Sequence, residues 1–501
     1  MKQIKNLILL AFAFPLVMTG CDSSISGDFV ENQPPSTNLT VDKINRGEED
    51  RLSSQINISW WGVDSDGYIV GYEYAINDTS ENAWTYTEKT DSTFILPISS
   101  GQSTDDVLFK VRAIDNDGAT DPVGARLVYP IVNTAPTVEI NSVETPPDTL
   151  FSIASFGWQI NDPDGFLNID RTEIAFNDTT DWISIPIPDN AEQNGLFISV
   201  ELDNSVTGTT SGELFLGKSY IRTQIQAPNL EVGGDNTFYV RTVDKAGASS
   251  SVDTVSWYIK EQRSRTLFLN DFSGTFSGEA QALHLDLLDQ NGIQPDVWII
   301  NDGQAGGGRK VRLSEAFPVN IDPTLKKTLA KWDHIYWISN DIDRNITYAQ
   351  EILSDFIDEG GNLFVNIPMK GLDLSDPIFN FLPVDSLGVL TGIETGFQIP
   401  NNTEILSSPE FNGPNPLTTQ RITGSYPLKP IVGAQSIYTA DFKTSTLVGS
   451  TTEYDEFESV GIRNPEGNLV YFALDFRLIT GNNNLSDLVN SICVGDLEFV
   501  Q

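Results

Sequence analysis

The chain has 501 residues, of which 39% are apolar and 10% aromatic, so it can fill several cores; at roughly 150 residues per domain it divides into about three. Asp and Glu number 69 against 30 Lys and Arg, a formal charge of −39. That field repels polyanions and excludes nucleic acid as a partner, and because the acids form no tail they read as a solvated surface suited to saline surroundings or as scattered divalent-cation sites.

The first twenty residues, MKQIKNLILLAFAFPLVMTG, start basic (Lys2, Lys5) and carry an apolar stretch from Leu7 to Val17. It is too short to span a bilayer and suits an export signal over 1–20. Its end, Met18-Thr19-Gly20-Cys21, resembles the lipobox of bacterial lipoproteins, with Met where that family more often has Leu. The resemblance implies lipid attachment at Cys21, hence a membrane anchor of acyl chains and a place in the cell envelope, periplasmic or surface-facing. An ordinary secretory signal is the other reading. Cys493 is the only other cysteine, so an acylated Cys21 leaves no intramolecular disulfide. Residues 21–38 contain Pro34-Pro35 and read as a flexible tether reaching at most about 60 Å.

Residues 39–132 and 133–260 show strand periodicity with frequent turn signals, and one pattern occurs twice. WWGVDSDG (Trp60 to Gly67) and FKVRAIDNDG (Phe109 to Gly118) are answered by WQINDPDG (Trp158 to Gly165) and FYVRTVDKAG (Phe238 to Gly247). The second copy carries about thirty extra residues, placed within Ile185–Gly234. Phe109, Val111 and Ala113 alternate with Lys110 and Arg112, one face buried and one wet, which implies antiparallel sandwiches. On the W-x-x-x-D-x-D-G and F-x-V-R-x-x-D patterns both modules resemble fibronectin type III and related immunoglobulin-like modules of bacterial surface proteins. Such modules serve as spacers or binding units, and the fold alone does not choose. The joint between them is placed at Asn133 to Pro136.

In residues 261–501 the period changes. Helices are expected from Glu279 to Gln290, at Ala349 to Ile357 behind a Thr347/Gln350 capping box, and from Leu485 to Cys493, with a hairpin over Val460 to Leu474. Alternating strands and helices imply an α/β domain with a mostly parallel sheet. WDHIYWISND, FIDEGGNLFVNI and NLVYFALDF make this part similar to the class I glutamine amidotransferase-like, or flavodoxin-like, fold. In that family a Cys nucleophile paired with a His follows such a strand. The matching stretch here, Asn366 to Lys370, has no Cys, Ser or His, so the family chemistry is not carried over. His284 and His334 are the only histidines, and a zinc site of the usual composition is not expected.

Three of these strands end in Asn-Asp: TLFLND, VWIIND and IYWISND. In a parallel sheet Asp271, Asp302 and Asp341 would share the carboxyl edge with Asn366 and Asp475, a set suited to a sugar, a polyol or a hard cation. Asn-Asp also follows strands at Asn77-Asp78, Asn116-Asp117, Asn161-Asp162 and Asn177-Asp178, where the pair reads as turn chemistry. Within the first sandwich Asp64, Asp66, Asp115 and Asp117 converge as a candidate weak calcium site, the only cofactor the sequence suggests. Hairpin turns are the plainer reading.

These features describe a lipid-anchored envelope protein that displays a non-catalytic α/β domain on two immunoglobulin-like spacers. Its partner would be a ligand such as a glycan, a polysaccharide or an envelope protein. The alternative is a hydrolase acting on a glycan or peptide with Asp271, Asp302 or Asp341 as acid and base. A third reading gives the binding to the insertion in the second sandwich, since long excursions on a rigid scaffold often serve contact.

Overall fold

The computed structural model describes residues 31–41, 51–99, 101–203, 206–299, 323–342, 352–411, 413–480 and 482–499. The signal segment, Cys21, Asp302 and the Thr347/Gln350 cap lie outside them. No helix among the described residues is long and apolar enough to cross a membrane. The chain forms two compact units, one holding most of the first sandwich and the other everything from Val132 onward together with Ser53–Gln55 and Pro97–Asp105.

In the first unit a three-stranded sheet (Ser36–Val41, Gln55–Val63, Asp91–Ile95) packs on a five-stranded one, ordered Leu52–Ser53, Ala125–Val132, Thr104–Asp115, Ile69–Ile76, Thr85–Thr87. Its first strand already runs at Ser36, three residues ahead of the expected module start, because the prolines before it cap the strand and do not interrupt it. The expected alternation is present: Phe109, Val111 and Ala113 are wholly buried, while Lys110 and Arg112 lie at intermediate depth. Trp60 centres an aromatic cluster with Tyr72, Tyr74, Phe94 and Phe109, all within 6.4 Å between ring centroids.

The second unit starts with a sandwich of two five-stranded sheets around Phe156, Trp158 and Phe238, with Phe156 and Phe238 stacked at 4.2 Å. Strands Leu196–Glu201, Gly208–Leu216 and Ile221–Val232, which supply the extra length, form most of one of these sheets. The insertion is therefore part of the core and not an excursion from it.

The α/β domain follows in the same unit: β1 (Thr266–Asp271), α1 (Ser277–Gln290), β2 (Asp296–Ile299), α2 (Pro323–Leu329), β3 (His334–Ser339), α3 (Ser354–Asp358), β4 (Asn362–Asn366), β5 (Ser459–Arg463), β6 (Leu469–Phe472) and α4 (Asn482–Val489). The order β2-β1-β3-β4-β6 is parallel throughout. Beyond β6 the sheet turns antiparallel through the β5–β6 hairpin and continues into short strands, so it is mixed, and the expected parallel sheet is one half of it. Residues alternate between two buried faces. Leu267, Ile335, Trp337 and Leu363 meet α2 and α3, whereas Phe268, Tyr336, Phe364 and Val470 meet α1 and α4. Burial on both faces explains why these strands are nearly continuous in apolar residues.

The sandwich and the α/β domain of this unit share a core. Phe151, 1% exposed, packs edge-on against Trp332 at 4.7 Å and Trp298 at 6.2 Å. Ser155, Ser199 and Thr324 form a buried hydroxyl cluster, and Lys331 pairs with Glu201. Asp296 accepts from the backbone amides of Arg263 and Ser264 and from the Trp332 indole, which pins the connecting segment.

Candidate functional site

The parallel strands end in register. Ile299, Asn270, Ile338, Asn366 and Phe472 stand side by side, and one position further on Asp271 faces Ser339. Asp271, Asn366, Asp341 and Asp475 thus sit at or just beyond one carboxyl edge, each engaged with its surroundings. Asn366 donates both amide hydrogens, to the carbonyls of Phe472 (3.0 Å) and Leu474 (2.8 Å), stitching β4 to the chain that leaves β6. Asp475 caps the turn after β6 through the Arg477 amide and holds the Arg477 guanidinium with both oxygens. That guanidinium lies over Phe272 (4.6 Å) and Phe276 (4.9 Å). Asp341 pairs with Lys370 at 2.9 Å. Asp271 is fully buried, and its carbonyl accepts from the Ser339 hydroxyl.

The asparagines of the Asn-Asp pairs also serve the backbone. Asn270 accepts from the Phe272 amide and donates to Gln281, while Asn340 exchanges two hydrogen bonds with the Ser273 backbone. In the sandwiches Asn77 and Asn177 adopt left-handed φ values of 56° and 57° and accept from Leu108 and Thr237. The following Asp78 and Asp178 accept from the amides of Ser80 and Thr180, which holds both carboxyls below the usual range. Asn tolerates this conformation and its side chain mimics a backbone turn, so both edge and sandwich pairs carry turn chemistry.

The imidazoles and the thiol lie elsewhere. His284 is buried with Nδ1 2.9 Å from the Tyr336 hydroxyl and its ring stacked on Phe476; burial pushes its pKa down to about 3. Burial drives the Cys493 thiol up, away from the reactive thiolate. His334 opens β3 and so lies at the opposite end of the sheet.

No family model matches the chain, and no curated protein matches it. Among solved structures it is similar to the fibronectin(III)-like modules of Clostridium thermocellum CbhA, 18% identical, covering 44% of this chain and 94% of that one with a TM-score of 0.16. It is also similar to the PKD1 domain of the Vibrio cholerae metalloprotease PrtV, 14% identical, covering 20% and 99% with a TM-score of 0.15. The central fibronectin-III array of RIM-binding protein is 13% identical over 46% and 71%, with a TM-score of 0.14. At such TM-scores the sandwich assignment stands on the chain's own strand pairing.

The aspartates of the sandwich loops meet donors that sequence reasoning missed. In the first sandwich the Asn32 side-chain amide donates to Asp115 at 2.8 Å and the Gln33 backbone amide to Asp66 at 3.0 Å. In the second, Asn133 donates to Asp244 and the Thr134 amide to Asp164, both at 2.5 Å. Each module thus binds the segment that enters it with the same pair of carboxylates. The available signal was Asn32-Gln33 directly before Pro34 and Asn133-Thr134 two residues before Pro136. The Asn32 hydrogen bond leads the causes that hold Asp115 low, whereas burial, with Asp66 and Asp115 adding charge, raises Asp64. Asp117 is exposed and donates its backbone amide to Asp115. Among the described residues no three His, Cys, Asp or Glu side chains come close enough to hold one metal ion. The insertion of the second sandwich borders a cavity of about 630 Å³ lined by Ile185, Pro188, Asn194, Phe197, Leu216 and Ile221.

Proposed function

We propose that the chain is a lipid-anchored cell-envelope protein that binds a ligand or partner through its sandwiches and α/β domain and does not transform it. The observation that carries this reading is the commitment of the carboxyl edge to the fold. Asn366 is consumed by two main-chain carbonyls, Asp475 by Arg477 and Asp341 by Lys370. General acid–base catalysis needs a group free to exchange a proton with substrate, and these side chains are engaged by main-chain carbonyls and by cations of the fold. Anchoring rests on the Met18 to Cys21 stretch of the sequence, and a polysaccharide or another envelope protein is the class of partner such display serves.

Two measurements test it. Mass spectrometry of the protein extracted from its native envelope should find acyl chains on Cys21, and Cys21→Ala should move the protein to the soluble fraction. The full chain should leave glycoside and peptide substrates intact. Turnover that disappears in Asp341→Asn or Asp271→Asn would establish the hydrolase and end this reading.

A further inference from the structure

The insertion that enlarges the second sandwich also walls the cavity of about 630 Å³, a size that small-molecule sites share. Its floor is the sandwich core: Ile185 and Leu196, 2% and 4% exposed, belong to the cluster around Phe156 and Trp158. Its mouth is apolar and wet, since Ile221 lines it and is 61% exposed. An aliphatic side chain left in water beside an open cavity is surface that a ligand can bury.

Two features shape the rim. Tyr220, next to Ile221, has a φ of 53°, a left-handed conformation that bulky residues rarely adopt. Its ring stacks on Phe215 at 4.1 Å and its hydroxyl donates to Glu201, and these contacts hold the turn in place. Such backbone persists only where the surroundings over-determine it, and it clusters at ligand clamps. Asn190 stands at the N-cap of the one-turn helix Ala191–Asn194 yet makes no capping hydrogen bond with its side chain, the usual role of Asn there. Its carboxamide is left to the rim, which Asn194, four positions on, also lines.

The lining is electrically neutral, a local exception in a chain of formal charge −39. Lys218 is its one charged side chain among the described residues, and the ammonium donates to Glu144 at 2.7 Å. It lies 5.7 Å from the centre of the Phe197 ring, at the edge of the apolar wall. A charged ligand head would leave water for a rim without free countercharge, which costs free energy. An amide or hydroxyl head instead meets the carboxamides of Asn190 and Asn194 and the Ser219 hydroxyl, which donate and accept alike. We infer that this cavity binds the alkyl chain of an uncharged amphiphile, its polar head at the asparagine rim and its chain against Ile185, Leu196 and Ile221. The inference rests on the binding reading above and names a ligand class for it.

The full chain, isotopically labelled at its isoleucine methyl groups, is titrated with octanamide. The methyl signals of Ile187 and Ile221 should shift saturably, with Ile335, wholly buried in the α/β core, unmoved. Affinity should rise about threefold per methylene from pentanamide to octanamide, since a fully buried methylene is worth about fourfold. Ile221→Gln should bind octanamide about fivefold more weakly. That side chain is exposed, so the fold is not at stake. Octylammonium should bind less tightly than the amide, whereas a general pull of the acidic surface would reverse that order. No saturable shift, affinity independent of chain length, equal affinity in Ile221→Gln, or tighter binding of octylammonium or octanoate would overturn the inference. Turnover or a missing acyl group would end the earlier reading and leave these methyl shifts as they are, so the two fail separately.

Discussion

The side-chain amide of Asn133 donates to Asp244 at 2.5 Å, joining residues 111 positions apart at the mouth of the second sandwich. Asp244 is 1% exposed and also accepts from the Ala248 amide at 2.8 Å. Removing a donor from a buried carboxylate costs more than the hydrogen bond itself, because the charge stays behind unmatched. Asn133→Ala should therefore destabilise the unit that contains Asp244 by about 1–3 kcal/mol in denaturant unfolding. A loss indistinguishable from zero would mean that water replaces the amide without cost.

Asp162, beside that contact, is 3% exposed and accepts from the Asp164 amide at 2.8 Å. Burial, with the charges of Asp164 and Asp244 adding to it, pushes its pKa up from 3.8 to about 6. A carboxyl raised in the folded state takes up its proton earlier there than in the unfolded chain. Stability thus rises as pH falls from about 6 toward about 4, by roughly 1–3 kcal/mol from this group. Other carboxyls titrate too, so the readout is the difference between the native chain and Asp162→Asn. That variant keeps an acceptor for the Asp164 amide and removes the charge; it should be the more stable at pH 7 and lose its advantage by pH 4. Parallel pH curves for the two proteins would refute the assignment.

Much of this was legible because it is local. The F-x-V-R alternation places Phe109, Val111, Phe238 and Val240 in their cores, and the spacing of Ala280, Leu287 and Leu288 marks the buried face of α1. Left-handed Asn at Asn77 and Asn177 follows from the same residue preference that made turn chemistry one reading of the Asn-Asp pairs. What stayed hidden is non-local. Asn32 and Asn133 look like linker residues until partners 83 and 111 positions away are known. The antiparallel half of the sheet is built from strands of two to six residues, too short for a period to show.

Arg477 ties the carboxyl edge together by two kinds of contact at once. It donates from Nε and Nη2 to the two carboxylate oxygens of Asp475 and lies over Phe272 and Phe276, with its side chain 13% exposed. Lysine keeps the charge but loses the planar fork and the stacking. Arg477→Lys should cost about 1–2 kcal/mol of stability, and Arg477→Met more, because Asp475 would then be buried without a cation. Equal stability of all three chains in guanidinium titrations would show that this pair contributes nothing measurable.

Phe151 belongs to the second sandwich by sequence but to the α/β core by packing. Its ring is 1% exposed and meets Trp332 and Trp298, and the Lys260 ammonium lies 5.2 Å above it while donating to the Val297 carbonyl. Truncating a buried Phe costs about 3–5 kcal/mol, transfer and cavity terms together. Here the cavity would open where the sandwich meets the α/β core, so the loss falls on their coupling more than on the sandwich's own core around Phe156 and Phe238. Phe151→Ala should split the melting of the second unit into two calorimetric transitions, or broaden it so that the van't Hoff enthalpy drops below the calorimetric one. If the variant still melts in one transition, merely shifted down, the sandwich and the α/β domain cooperate through the hydroxyl cluster and the pinned Asp296 segment, and the aromatic contact is not what joins them.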